Sequence, residues 1–383
     1  MPVITNHRTN GEIETIFNHH VTDAVGRIIN HDLSDCSQAD ELARILGVFK
    51  YPGRVLGSTA EGDIVQLHPD LKKHFSYVSE HYRRIGLAHS RDIIWNDDFQ
   101  IMKDFPDHQI SVFFFGEKAH RARPDERWYK TTKFANSKNE FIRYCRLLGL
   151  PTPETFCYNG KREIADLDEY HYPLYLKLAV SASGQGVVKC KDSNVLAAEL
   201  FKLDENAPFQ LQAEVDAGAF INVQYEVIGD RLRRGVITRQ ILNGNEHAGN
   251  IYPTSYDPRK FTDVIAADMF RRGMKGVFAF DLAVTKGGEY LFIECNPRYN
   301  GATYPTKIAQ KLGINRWAAK NFKTGRHSFA DIDLGEVEYD RDRASGAIVL
   351  NWGCVDDGKL GVLLAGTPEE QHLLEERLLI ILN

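Results

Sequence analysis

The sequence predicts a mixed α/β and α+β protein built from more than one domain. Three observations carry this. A chain of 383 residues exceeds what one ordinary hydrophobic core holds. Its first 130 residues alternate helical patterning with short apolar strands, as in a small α/β unit. Beyond them, β-branched and aromatic runs come in pairs around glycine turns, as in antiparallel hairpins with helices between.

Composition narrows the class. Hydrophobic content of 43% and charged content of 26% are those of a soluble globular protein. A net charge of −5 argues against a general nucleic-acid binder. Six cysteines (Cys36, Cys145, Cys157, Cys190, Cys295, Cys354) are scattered without CxxC spacing. They read as reduced, mostly buried thiols rather than a disulfide framework or zinc site. The opening MPVITNHRTNGEIETIF has no apolar core segment, and no stretch has the length of a membrane span. The expectation is therefore a cytoplasmic protein with no nucleic-acid or membrane partner; a homodimer is left open.

In the first block, helical patterning covers Ala39 to Leu46 and Leu71 to Leu87, and QISVFFFG (Gln109 to Gly116) is a buried strand entering a glycine turn. His81, Arg83, Arg84, His89 and Arg91 form either a substrate pocket or a solvated basic face. The polar run HRARPDERWYKTTKFANSK marks a boundary near residue 130. Asn136-Ser137 then caps a helix from Lys138 to Leu148, ended by Gly149-Leu150-Pro151. Lys138 stands in its first turn, where the macrodipole disfavours a cation unless it faces an anion such as a phosphate.

In YPLYLKLAVSASGQGVVKCKD, Lys177 alternates with Leu174, Leu176 and Leu178, so it leaves the non-core face of a strand. The small-residue loop Ser181 to Gly186, which includes Ser183 and Gly184, returns into a second strand and can bring backbone amides close to phosphate oxygens. No Walker lysine is present and no helix follows, so this is neither a P-loop nor a dinucleotide-binding turn. Gln212 to Asp216 can offer backbone groups to an adenine edge, with Glu214 or Asp216 left for a ribose. Two strands follow, turning at Gly229-Asp230. Arg231, Arg233 and Arg234 flank that turn, and Arg239 within the second strand is a candidate functional residue. NGNEHAGNIYPTSY is expected to be an irregular loop, with His247 a candidate substrate contact, and Phe261 to Arg272 to be a helix.

The most informative stretch is VFAFDLAVTKGGEYLFIECNPRYNGATYP, Val277 to Pro305. A two-residue Gly287-Gly288 turn pairs Lys286 with Glu289, and counting outward sets Asp281 opposite Glu294. Alternation adds Asn296 to that face and gives Phe280, Leu282, Val284, Leu291, Ile293 and Cys295 to the core. Opposed carboxylates repel unless a cation sits between them, and an all-oxygen set suits Mg²⁺ shared with nucleotide phosphates. Arg298, just past the strand end, suits a carboxylate or phosphate. The tail gives a helix at Thr306 to Leu312, a polar link, then two strands and a terminal helix capped at Thr367 with Glu370 at N3. It reads as a small lobe packed on the body, without chemistry of its own.

The order of these signals, YLK…SGQG followed by D…ECNPR around a Gly-Gly hairpin, resembles the ATP-grasp superfamily from about Trp128 to Leu312. The leading block resembles its pre-ATP-grasp domain, and the layout with GVLLAGTPEEQ is most like the peptide-ligase branch related to the pheganomycin ligase. The resemblance implies a pre-ATP-grasp domain over residues 1–130, an ATP-grasp fold of two α+β lobes over 131–325 and a small C-terminal lobe over 326–383. It also implies that Lys138 and Lys177 bind ATP phosphates under the loop Ser183, Gly184 and Gly186. Glu214 and Val215 would form the adenine hinge, and Asp281, Glu294 and Asn296 would hold Mg²⁺. Arg298, with Arg239, would act on the carboxylate or its acyl-phosphate. Two positions depart from the family pattern: AGAFIN lacks a second hinge acid, and Asp281 stands where glutamate is commoner.

These signals fit a carboxylate–amine ligase joining amino acids or a small peptide, in which an acyl-phosphate formed from ATP is attacked by an amine. Such chemistry needs no protein nucleophile, in keeping with the lack of a Ser/His/Asp or Cys/His set. The backbone amides of Asn300, Gly301 and Ala302 are candidates for holding the oxyanion. A thiol acceptor on a carrier protein and a non-catalytic ATP-binding regulator are the competing expectations.

Overall fold

The computed structural model describes residues 26–36, 47–164, 166–181, 186–244 and 246–383. The helix expected over Ala39 to Leu46 lies outside the described residues.

Strands β1 (Arg27–Asn30), β2 (Ile64–Gln66), β3 (Asp92–Ile94) and β4 (Gln109–Val112) form a parallel sheet in the order β3-β2-β1-β4. Helix α1 (Lys72–Arg84) crosses between β2 and β3, as parallel pairing requires. Three helices follow: α2 (Glu117–Ala122), α3 (Glu126–Asn136) and α4 (Lys138–Leu147). Ser137 caps α4 by accepting from the Glu140 amide at 3.4 Å.

An antiparallel sheet comes next, with β5 (Thr155–Tyr158), β6 (Leu174–Leu178), β7 (Val187–Cys190) and β8 (Phe209–Ala213) in the order β5-β8-β6-β7 and α5 (Ser193–Lys202) before β8. Its small core is Leu174, Leu176, Leu196, Leu200, Phe209 and Leu211. The alternation that buries Leu174 and Leu176 turns Tyr175 and Lys177 to the other face.

The rest of the chain is one eight-stranded antiparallel sheet. It comprises β9 (Ala217–Ile228), β10 (Arg231–Asn243), β11 (Glu246–Tyr252), β12 (Gly276–Thr285), β13 (Tyr290–Asn296), β14 (Trp317–Lys323), β15 (Gly346–Val349) and β16 (Lys359–Ala365). Their order is β13-β12-β9-β10-β11-β14-β16-β15. Helices α6 (Arg259–Arg272), α7 (Thr303–Leu312) and α8 (Pro368–Leu382) lie between or after them, and α8 starts with the expected Thr367–Glu370 capping box.

One expectation is corrected here. NGNEHAGNIYPTSY is not irregular: Glu246–Tyr252 is β11, paired with β10 and β14. Its glycine serves a close approach, since a Cβ on Gly249 would lie 2.1 Å from the Ala319 carbonyl oxygen. The strands expected in the tail are present and join the large sheet. β16 pairs with β14 over seven residues, so β15 and β16 are the far end of the large sheet. Two strands alone would be marginal.

The cores follow this layout. One joins Val55, Leu56 and Tyr82 of the first unit to Ile308 of α7 and to Trp317, Leu363 and Leu364. The other packs Ile221, Phe278, Phe280 and Phe292 against Trp128 and Phe141. His81 is buried and belongs to neither a pocket nor a solvated face, whereas Arg84 is exposed. His81 accepts from the Val349 amide (3.1 Å) and hydrogen-bonds Glu338 (2.6 Å), which also pairs with Arg84, tying α1 to the C-terminal strands. No helix among the described residues is long and apolar enough to cross a membrane.

Candidate active site

The β12–β13 hairpin sets the geometry by an unexpected route. Its loop is three residues, not two: the Thr285 amide donates to the Glu289 carbonyl at 2.9 Å, and Gly288 takes the left-handed conformation at φ 84°. This shifts the pairing by one residue, so Leu282 faces Phe292. A bulge between Asp281 and Leu282 shifts it back, and Asp281 faces Glu294 as counted. The bulge also corrects the expected core face. Phe292, not Leu291 or Ile293, joins Phe280, Leu282, Val284 and Cys295 in the core, while Ile293 lines a cleft.

That cleft, about 650 Å³, lies where the three sheets meet. Asp281, Glu294, Asn296, Arg298, Lys138, Lys177, Glu214 and Val215 all line it. Asp281 is held from three sides: Asn222 donates to Oδ1 at 2.6 Å, Gln240 to Oδ1 at 2.9 Å and Asn296 to Oδ2 at 2.8 Å. Burial and the neighbouring Glu294 charge push the Asp281 carboxyl above the usual carboxylate range. Burial opposes ionisation of Glu294 too, but Lys138, then Arg298 and Lys177, more than offset it and hold Glu294 low. Lys138 is buried at the start of α4. Its ammonium lies 3.1 Å from Glu294 and donates to the Ser181 carbonyl (3.2 Å) and hydroxyl (2.9 Å).

Lys177 donates to Gln212 Oε1 at 2.5 Å. Burial pushes its ammonium down to about 8; the Glu294 charge opposes this and the Lys138 charge adds to it. Arg298 donates to Asn136 Oδ1 at 3.3 Å, next to the start of α4. Gly186 closes the β6–β7 hairpin at φ 68°, where a Cβ would meet Leu178 at 2.8 Å; Ser183 and Gly184 lie outside the described residues. Between β8 and β9, Glu214 pairs with Lys189 and accepts from Tyr175 (3.2 Å). Asp216 is exposed and pairs with Lys286 at 2.8 Å.

Arg239 is not brought to this cleft. It is exposed, while its neighbour Gln240 turns inward to Asp281. Alternation allows only one of the two to face the site, so the candidate was one residue off. Sequence reasoning also missed Asn222, which sits opposite Asp281 in register. Its one signal is a buried amide interrupting the apolar run FINVQYEV. His247 does line the cleft, donating from Nε2 to Asn250 Oδ1 at 2.7 Å, its ring against Gly301.

The oxygen set fits a hard divalent cation. Asn222 Oδ1 is buried without a hydrogen-bond partner beside the two carboxylates, and amide plus carboxylate oxygens are what Mg²⁺ takes. Among the described residues no cluster of three or more His, Cys, Asp and Glu groups as a metal site; the set here is two carboxylates and two amides.

No family model matches the sequence, and no curated protein matches it. Solved structures do match. An ADP complex of PurK, an N5-carboxyaminoimidazole ribonucleotide synthetase, has TM-score 0.61 at 14% identity, over 93% of this chain and 96% of that one. The N5-carboxyaminoimidazole ribonucleotide synthetase of Thermus thermophilus has TM-score 0.56 at 15% identity, over 93% and 98%. An L-amino acid ligase from Bacillus licheniformis has TM-score 0.52 at 15% identity, over 94% and 98%. The chain has the ATP-grasp fold. Likeness at such low identity establishes architecture, and it spans nearly the whole chain.

Proposed function

We propose that this chain is an ATP- and Mg²⁺-dependent carboxylate–amine ligase that joins amino acids or a small peptide. The observation that carries the reading is the opposition of Asp281 and Glu294 within one cleft that Lys138, Lys177 and Arg298 also line. Two half-buried acids and three cations lining one cleft, with an orphaned amide oxygen between strands, suit a metal–nucleotide complex better than any packing role. The solved structures named above are synthetases and a ligase, and those names favour an amine acceptor over a thiol. The peptide-ligase branch rests on the sequence motifs alone.

In this reading Lys138 and Lys177 hold the phosphates, and Glu214 with Val215 faces the nucleoside. Asp281, Glu294 and the amide oxygens of Asn222 and Asn296 hold magnesium, which supplies charge neutralisation at the phosphates when bound. Arg298 orients the substrate carboxylate. One of its oxygens attacks the γ-phosphorus, the bond to the bridging oxygen breaks, and ADP leaves. The amine nitrogen then attacks the acyl carbon, the carbon–oxygen bond to phosphate breaks, and the amine gives up a proton. The protein's share is positioning and charge, with no covalent adduct.

The test is phosphate release from ATP with pooled amino acids, followed by product mass. Release that needs Mg²⁺, a carboxylate and an amine together, with an amide product, supports the reading. Release without product, or none, overturns it.

A further inference from the structure

In the reading above, the phosphates of the nucleotide fall to Lys138 and Lys177, and its base to Glu214 and Val215. The sugar joins the two, so it lies over the strand that leads from one to the other. That strand is β9, which leaves the hinge at Ala217 and carries Asn222 opposite Asp281. Phe220 stands between them. It shares the cleft face with Asn222, about 7 Å along the strand. Leu242 of the neighbouring β10 and Ile293 of β13 line the same cleft.

No acid is left for the sugar hydroxyls. Among the described residues, the carboxylates that line the cleft are Glu214, Asp281 and Glu294. Asp281 is enclosed by Asn222, Gln240 and Asn296, and Glu294 is paired with Lys138. Glu214 is drawn onto the smaller sheet, where Lys189 of β7 and Tyr175 of β6 both donate to its Oε1. Asp216, the next acid along, has a side chain 77% exposed, pairs with Lys286 and does not line the cleft. The nearby amides are engaged as well: Gln212 accepts from Lys177 and donates to Thr155 (3.1 Å), and Gln240 donates to Asp281. A site selects a hydroxyl through a polar group that would be left unpaired without it. A phenyl ring and a leucine have no such group. With Leu242 still 36% exposed, solvent reaches this face, so a hydroxyl there keeps its water.

We propose that Phe220 makes the nucleotide site indifferent to the sugar, so that 2′-deoxy-ATP serves as well as ATP. The inference rests on the ligase reading above and adds which nucleotides that site accepts. It also gives the run AGAFIN, with no second acid after the hinge, a structural meaning. Position 220 faces the sugar, and a carboxylate there would have both hydroxyls within its reach.

The experiment is a set of calorimetric titrations of the full chain with Mg²⁺, using ADP, 2′-deoxy-ADP and 3′-deoxy-ADP. All three should bind within about threefold of one another. Phe220→Glu, which sets acceptors where the ring stood, should create a preference for ADP of ~10-fold or more, the worth of a charge-assisted hydrogen bond. Phe220→Leu should leave the three alike. A wild-type preference for ADP beyond threefold overturns the proposal, and so does a folded Phe220→Glu chain that stays indifferent. Where Phe220→Glu does not fold, the wild-type ratios and Phe220→Leu decide. Binding of none of the three removes the nucleotide site and the proposal with it. Failure of the ligase reading alone looks different: the three diphosphates bind alike, but ATP with pooled amino acids yields no amide.

Discussion

The two ends of the cleft differ in how their charges are satisfied. At the hairpin end, Glu294 is met by Lys138, Asp281 is held by three amides and Lys177 rests on Gln212. At the other end, Arg54, Asn300 and Asn351 each keep a buried atom with no partner. The first arrangement is preorganised around a separation of charge, which suits groups that must stabilise phosphates without rearranging. The hairpin end keeps one unpartnered buried atom as well, Asn222 Oδ1.

The contrast breaks most severely at Glu294. Glu294→Gln keeps the shape but removes the charge that pairs with Lys138 and the proposed metal; turnover should fall by at least ~10³-fold with the melting temperature within a few degrees of wild type. A loss below tenfold in the phosphate-release assay would remove Glu294 from the site. Next comes Lys177→Ala, which should weaken ATP binding by ~10–100-fold by calorimetry, the worth of one charge-assisted bond. This lysine also gives the hairpin end a pH signature. Its free-protein value is about 8 rather than the ordinary 10.5, and the protonated form binds phosphate. ATP affinity should therefore be full below pH 8 and decline as pH rises through it, whereas Lys177→Arg should stay flat. A wild-type profile equally flat from pH 7 to 9 would count against the assignment.

A smaller effect sharpens the picture of how Asp281 is held. Asn222→Leu removes one donor and the orphaned oxygen, so the Mg²⁺ concentration for half-maximal turnover should rise by about tenfold. The smallest is Arg239→Ala, which should leave turnover within about twofold of wild type, as expected for an exposed surface change.

How much was legible follows the same division. The hairpin end could be read because strand alternation and register are local rules, and Ser137 and Thr367 cap their helices where the sequence places them. Even so, the Asp281–Glu294 pairing came out right through two departures that cancel, a longer turn and a bulge. Where no second departure compensated, the reading slipped, as with Ile293 and Phe292. Glycine and asparagine in β11 read as a loop because the cause of Gly249, the backbone of Ala319, is distant in sequence. That β16 pairs with β14 could not be read either, since the two strands are distant in sequence. Arg54, Asn300 and Asn351 come from three separate segments and carry no shared motif. Only the folded chain brings them to one cleft.

The central claim is that Asp281 and Glu294 oppose each other to hold a nucleotide-bound divalent ion. Crystals grown with Mn²⁺ and a non-hydrolysable ATP analogue test it most directly, through the anomalous signal of manganese. The peak should stand between the two carboxylates, at about 2.2 Å from their oxygens, with the γ-phosphate toward Lys177. A nucleotide bound elsewhere, or bound here with no anomalous peak between Asp281 and Glu294, would contradict it.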